Sequence, residues 1–338
     1  MKKFFQIIFI SIFIILSLLI AILSTTGFET NRLNNVILKK INENNKFVTV
    51  DLKKIKFKFD YRDISLFLET KNPKLSYQNL DVPIENIKVY VNFLSLVRSN
   101  IRIDKVNITT KSVDINQLQK IMIKTKPSNL NSLIINKVKK GNLITNIELF
   151  LDESLKIKNF IANGSVNDMS ANINKNLSLD KTSFTFFADA TDILIKNIKS
   201  SSNGIVLNDG SLKIEKNGNI IVKSNFLTTI RFNKDNIDSY LIFFKNLDYL
   251  NKNINFTANI DHNLDVIFDD TLKVLDFNYK SKGLIEDLKI ELSKKYKNDF
   301  LKEEIKSLNF RNTHFDLDYN FNNKNRISLK GKYNVNNQ

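Results

Sequence analysis

The sequence predicts a mainly β protein: an N-terminal transmembrane helix, then a long antiparallel sheet with one apolar face and a few short amphipathic helices. Three observations predict it. Phe4 to Leu23 is a twenty-residue run interrupted only by Gln6, Ser11 and Ser17. From Phe47 onward apolar and polar residues alternate with a period of two, as they do when strand side chains point to opposite faces and one face is buried. Asn-Gly and Asp-Gly pairs, which reach the positive φ values of two-residue hairpins, recur at Asn163-Gly164, Asn203-Gly204, Asp209-Gly210 and Asn217-Gly218.

Residues 1–28 form the anchor. At 1.5 Å per residue the apolar run spans about 30 Å, enough to cross a bilayer. A cleaved signal peptide would have a shorter apolar region ending at a small-x-small site. Ala21-Ile22-Leu23-Ser24-Thr25-Thr26-Gly27 matches that poorly, so the helix is expected to stay in place. Lys2 and Lys3 are balanced by Arg32, Lys39 and Lys40 on the far side, so flanking charge does not orient the span. Its signal-like character places the body outside the cytoplasm. Residues 29–46 set Leu33, Val36, Ile37 and Ile41 at helical spacing, an amphipathic helix suited to lie on the bilayer interface or to cap the end of the sheet.

Residues 47–338 read as one elongated β body. Ile55, Phe57 and Phe59 alternate with Lys54, Lys56 and Lys58; Ile64, Leu66 and Leu68 follow, then Ile87, Val89 and Val91. Ile254, Phe256, Ala258 and Ile260 lead to Leu264, Val266 and Phe268. Phe315, Leu317, Tyr319 and Phe321 alternate with Asp316, Asp318 and Asn320, and Ile327, Leu329, Tyr333 and Val335 follow. One-sided antiparallel sheet is the physical reading. The last three glycine pairs, six and eight residues apart, predict a meander of short strands. Pro73, Pro83 and Pro127 fall where a strand start or loop is readable. Helices are expected over Phe93–Ser99, Ile115–Lys124, Asp235–Leu250 and Asp299–Lys306. Strand-like sequence runs to Gln338, so further chain or a partner is expected to extend the sheet.

Enzyme chemistry finds little material. With no cysteine, disulfides, thiolate metal sites and thiol nucleophiles are excluded. His262 and His314 lie far apart in strand-like contexts and read as sheet histidines, which leaves no histidine triad or metal cluster. Asp265, Asp269 and Asp270 lack the spacing of a calcium loop, and Asp269-Asp270 is expected to be a turn. The eight glycines form no phosphate-binding loop. No catalytic residue, metal or cofactor is therefore expected, and the chain is not expected to be an enzyme.

The net charge of +16 has two sources. Forty-nine asparagines and a large excess of lysine over arginine match the bias of an AT-rich genome. Within residues 1–60, ten basic and four acidic residues leave a surplus of six beside the membrane segment, a position that suits anionic lipid. Nucleic-acid binding would need basic and aromatic residues on one face. Here the strands separate them, Lys from Phe, so no nucleic-acid partner is expected.

The order of features in the first third is anchor, amphipathic helix, a strand like Val48 to Phe59, Ile64 to Leu68, Pro73-Lys74-Leu75, Val82-Pro83-Ile84 and Ile87-Lys88-Val89-Tyr90-Val91. Phe93-Leu94-Ser95-Leu96-Val97-Arg98-Ser99-Asn100 then runs into Ile101-Arg102-Ile103-Asp104-Lys105-Val106-Asn107-Ile108. This resembles the N-terminal region of the AsmA-like envelope proteins, the family of TamB and YhdP. In that family a short helix ending in a Leu-Leu-Arg-Gly-like stretch precedes a strand of the form Ile-x-Ile-x-x-Val-x-Ile. The chain departs from it at Val97 and at Ser99-Asn100, where the family often has Leu and Gly.

The resemblance implies a repeating β-groove, a curled sheet whose apolar inner face carries phospholipid acyl chains from the inner toward the outer membrane. Its expected lining is Ile55, Phe57, Phe59, Ile64, Leu66, Leu68, Val89 and Val91, with Phe315 and Leu317 further along. Arg32, Lys39 and Lys40 would form a membrane-proximal basic surface. The expected place is the bacterial inner membrane, single-pass, with the body in the periplasm and phospholipids as partners. The alternative is a periplasmic scaffold or assembly factor for outer-membrane proteins, pairing through a sheet edge with outer-membrane or periplasmic partners. Periodicity alone fits a two-sheet sandwich as well as a groove.

Overall fold

The computed structural model describes residues 2–30, 34, 38, 47–52, 54–61, 65–91, 102–125, 127–175, 177–241, 250–297, 303–320 and 325–336. It is mainly β, with four helices and nineteen strands among the described residues. Where the sequence suggests a single body, the chain divides into two compact units, residues 1–127 with 144–164 and residues 128–143 with 165–338.

The first unit opens on α1 (Lys2–Thr25), whose apolar side chains from Phe4 to Ile22 are exposed. Among the described residues it is the one helix long and apolar enough to cross a membrane. Its last turn is closed locally: the Thr25 and Thr26 hydroxyls donate to Ala21 O and Ile22 O, and Gly27 N donates to Ile22 O at 2.9 Å. Gly27 ends the helix at φ +70°, the left-handed conformation typical of a helix stop. A Cβ there would lie 2.9 Å from Phe57 O, so only glycine lets the chain turn from helix into sheet at this point.

The strands of this unit are short: β1 (Phe28–Thr30), β2 (Val48–Asp51), β3 (Ile55–Asp60), β4 (Ser65–Lys71), β5 (Lys74–Tyr77), β6 (Leu80–Val82), β7 (Ile84–Val91), β8 (Ile103–Thr110) and β9 (Val113–Asp114). Strands β2, β5 and β6 form a separate three-stranded sheet. Helix α2 (Ile115–Lys124) follows, with Asp114 capping it by accepting from Asn116 N at 2.8 Å. Strands β10 (Val138–Leu151) and β11 (Ile157–Asn172) contribute residues to both units.

The second unit contains α3 (Asn129–Lys137), which starts at a Ser128 cap, and long strands. These are β12 (Ser178–Asp189), β13 (Asp192–Ser202), β14 (Ile205–Asn217), β15 (Asn219–Phe232), β16 (Leu250–Phe268), β17 (Val274–Tyr296), β18 (Ile305–Asn320) and β19 (Arg326–Val335). Helix α4 (Asp238–Leu241) lies between β15 and β16. In hydrogen-bonded order the main sheet runs β1-β3-β4-β7-β8-β10-β11 and on in sequence to β19, with β9 beside β10, sixteen strands in all. From β10 onward every strand neighbours its sequence neighbour, the meander the sequence predicts.

Two of the four glycine pairs are not turns. Asn163-Gly164 lies inside β11, and Asp209-Gly210 lies inside β14 at a register shift against β15. The strands are therefore longer than those pairs imply; β16 runs through both of the alternating blocks read from the sequence, nineteen residues without a break. Asn203-Gly204 and Asn217-Gly218 do turn, with Gly204 and Gly218 at positive φ. The expected strand from Val48 to Phe59 is broken after Asp51 and serves two sheets. Ile305 and Lys306, assigned to a helix by their sequence, begin β18 instead. Helix α2 has the expected bounds, while α3 was not anticipated. Ile64, Arg32, Lys39, Lys40, Phe93–Ser99 and residues 242–249 of the Asp235–Leu250 helix lie outside the described residues, as does most of the 29–46 helix. Of its described members, Asn34 and Leu38 are helical, whereas Glu29 and Thr30 belong to strand β1, paired with Lys56 and Ile55.

Two hairpin loops repeat one design. Asp152-Glu153-Ser154-Leu155-Lys156 joins β10 to β11, and Asp269-Asp270-Thr271-Leu272-Lys273 joins β16 to β17. In each the aspartate Oδ1 accepts from the backbone N–H groups two and four residues on and from the hydroxyl two residues on. In each the leucine sits at positive φ, +61° and +67°. These bonds to the ionised form hold both aspartates below the ordinary carboxylate range, the Ser154 or Thr271 hydroxyl first among them. Asp269 thus spends its carboxylate on the turn.

Candidate functional site

In an antiparallel pair, residues directly opposite share a face, so register alone traces surfaces across strands. In the first unit the row Phe28, Phe57, Leu68, Val89, Val106 and Leu149 crosses six strands with an apolar residue at every one. A parallel row runs Thr30, Ile55, Thr70, Ile87, Ile108 and Ile147, and a shorter one Phe59, Leu66 and Val91. The first row begins one residue after Gly27, at the edge strand next to the membrane-length helix.

The opposite face of the same strands carries Glu29, Lys56, Glu69, Lys88, Asn107 and Glu148 in one row. Charges alternate along it and pair. Lys56 reaches Glu29 at 3.4 Å and Lys58 reaches Glu69 at 2.7 Å, with Asn86 donating to the other Glu69 oxygen at 2.9 Å. Burial alone would raise the Glu69 pKa, but the Lys58 and Asn86 bonds together outweigh it and hold the carboxyl below its ordinary value. Phe67 and Tyr90 also lie on this face, in contact at 5.3 Å and covered by the Lys88 and Lys105 ammonium groups.

The second unit repeats the division over longer strands. Phe232, Phe256, Leu288, Phe310 and Tyr333 form one apolar row, and Thr228, Ile260, Gly283, Phe315 and Leu329 another. Between them Ile230, Ala258, Ile285 and Thr313 fill the best-buried row. A Cβ on Gly283 would meet Asn259 O at 2.2 Å, so β16 and β17 approach each other too closely there for any side chain. On the other face stand Asn225, Asn263, Lys280, Asp318 and Arg326, and the Asn225 amide donates to Asn263 on the next strand at 2.8 Å.

Coverage of the apolar faces is partial. In the first unit Leu52, Ile55, Leu68 and Val91 form a closed cluster with Leu38 and Val50 against it, so the small sheet lies over this end of the face. That stretch is the two-layer arrangement which periodicity equally allows. Asn34 fixes the overlying chain by donating to Leu52 O at 3.1 Å. Phe57, Phe59, Val89, Val106, Ile108, Ile147 and Leu149 remain half-buried. In the second unit Tyr240 lies against Phe232, with ring centroids 4.6 Å apart, its hydroxyl donates to Ser202 O at 2.7 Å, and Ile237, three residues before it, is buried. Burial raises the Tyr240 pKa against that bond, so the phenol stays neutral.

Of the lining residues read from sequence, Ile55, Leu66, Leu68 and Val91 are buried, Phe57, Phe59 and Val89 are half-buried, and Ile64 is outside the described residues. Phe315 and Leu317 are half-buried on the apolar face of the second unit, next to Ile327 and Leu329, which are exposed. His314 lies on the polar face and is exposed. His262 lies on the apolar face, opposite Phe226 and Ser281, where alternation alone would have placed it had its neighbours been weighed. Among the described residues no group of three or more His, Asp or Glu side chains is disposed to hold a metal. No family model, no curated protein and no solved structure matches the chain.

Proposed function

We propose that the chain is a membrane-anchored lipid conduit of the AsmA-like type, standing on the bacterial inner membrane with its body in the periplasm and passing phospholipids toward the outer membrane. The observation that supports it best is the unbroken apolar row from Phe28 to Leu149, which starts three residues beyond the membrane-length helix and, away from the cluster around Leu52, is exposed at Phe28 and half-buried after it. Acyl chains leaving the bilayer would exchange one apolar surround for another, while headgroups stay in water. Six strands at about 4.8 Å spacing make such a row on the order of 25 Å long, comparable with one extended acyl chain plus its glycerol. Transport on this reading is passive, and selectivity follows chain chemistry more than headgroup identity.

Photo-crosslinking from Phe57 or Phe59 in intact cells tests the reading. Phospholipid adducts are expected from both positions. A chain that captures protein but no lipid at either overturns the conduit in favour of a scaffold that pairs with envelope proteins.

A further inference from the structure

One polar cluster interrupts the apolar face of the second unit. His262 Nε2 lies 2.7 Å from Thr228 Oγ1 on β15, and its Nδ1 lies 2.6 Å from Tyr279 Oη and 3.4 Å from Ser281 Oγ on β17. The imidazole and phenol rings stack with centroids 6.0 Å apart. Thr228 Oγ1 is also 3.3 Å from Ile260 O, which can only accept. One proton arrangement satisfies every group: Thr228 donates to Ile260 O, Nε2–H donates to Thr228 and the Tyr279 O–H donates to Nδ1. It requires a neutral ring.

Protonation breaks that arrangement. Nδ1 becomes a donor, Tyr279 must turn its hydroxyl away, and a cation appears among Phe226, Ile260, Leu264 and Leu317. Among the described residues that face offers it no carboxylate. From β15 the cluster meets Ser224, Phe226 and Thr228; from β17 it meets Tyr279 and Ser281, with Tyr319 beyond on β18. Tyr279 and Tyr319 are the titratable groups on that side. Asp261, Asp265, Lys280 and Lys282 stand beside it in sequence but alternate to the opposite face. Burial, the larger influence, pulls the His262 pKa below its ordinary 6.5, and Asp261 only partly opposes it.

We propose that this cluster is an acid-sensitive gate on the apolar face: neutral, it lets acyl chains lie across β15 to β18, and protonated it clears them from that stretch. The gate rests on the conduit reading above and names its regulation. The network's contribution is complete above the ordinary imidazole value and is lost as pH falls through the window below it.

The test uses the full chain in phosphatidylcholine nanodiscs, whose headgroup charge is constant over the range, with a photo-crosslinker at Leu264. Between about pH 7.5 and about pH 5, capture of phosphatidylcholine should fall about threefold or more in the wild type and in His314→Gln, and stay level in His262→Gln. Level capture in the wild type, or a fall that persists in His262→Gln, overturns the gate alone. No capture at any pH overturns the conduit and the gate together. Should His262→Gln fail to fold, ring-nitrogen NMR of the wild type decides: the fall must follow the His262 titration, and a midpoint that follows His314 instead overturns the proposal.

Discussion

The two units carry the same division into an apolar and a polar face, and they finish it differently. In the first, strands of six to eight residues, β3, β4, β7 and β8, meet a second layer in which Val50 and Leu52 close over Ile55, Leu68 and Val91. In the second, strands of 14 to 23 residues, β15 to β18, have Tyr240 against Phe232 at one end, and Ile327, Leu329 and Tyr333 are exposed. The polar faces of both units pair their charges, Lys58 with Glu69 at 2.7 Å in the first and Lys289 with Glu291 at 3.0 Å in the second, where a wider pair, Lys280 with Asp318 at 3.9 Å, and the Asn225 to Asn263 amide bond stand beside it. The lesson is that one alternating pattern supports either a closed core or an open face. What lies opposite decides which.

Two substitutions sharpen that contrast most, the larger effect first. Leu68→Ala removes a residue 7% exposed inside a closed cluster and should cost about 2–4 kcal/mol, read from chemical denaturation of the full chain. Leu264→Ala, on the half-buried face of the second unit, should cost about 1 kcal/mol or less because little cavity is left behind. Equal losses would mean that both faces are equally covered.

Next comes the buried ion pair. Glu69→Gln leaves Lys58, whose side chain is 19% exposed, facing a neutral amide, and should cost about 1–3 kcal/mol near neutral pH. Because the Glu69 pKa is lowered on folding, its ionised form stabilises the fold above the ordinary glutamate value of 4.5 and stops doing so as pH falls below it. The gap between wild type and Glu69→Gln should therefore shrink in acid, and a gap that widens would contradict the assignment. Lys280→Gln breaks an exposed pair and should leave denaturation unchanged.

The smallest effect compares the matching loops. Leu155→Gly and Leu272→Gly replace a side chain held at positive φ by the one residue that adopts it freely, and each should gain up to about 1 kcal/mol. Similar gains at both sites support a shared loop design, and a loss at either would show that its leucine packs.

Much of this was legible in the residues. Period-two alternation correctly put Lys56 and Lys58 on one face and Phe57 on the other, and the apolar run before Ser24 correctly announced a membrane-length helix. Strand length is less legible, because Asp209-Gly210 has the composition of a turn yet pairs with Leu227 and Phe226 inside β14, just after a register shift at Asn208. The break between Asp51 and Ile55 does leave a mark in the residues, a slip of one in the alternation, from Val48, Val50 and Leu52 at even positions to Ile55, Phe57 and Phe59 at odd ones. Asparagine abundance, ascribed to genome bias, also has a structural use between strands, where Asn225 donates to Asn263 and Asn259 accepts from the Thr229 hydroxyl. His262 read as an ordinary sheet histidine, since its partners Thr228 and Tyr279 lie 34 and 17 residues away and meet it only through register.

The most direct measurement is a face-resolved comparison on the purified full chain with radiolabelled phosphatidylcholine. Photo-crosslinkers at Val89 and Leu264 report the apolar faces of the two units, and those at Lys88 and Asp265 report the polar faces one residue away. Lipid adducts at Val89 and Leu264, with background labelling at Lys88 and Asp265, are the predicted result. Equal labelling of both faces, or none on the apolar one, would contradict a lipid-carrying face.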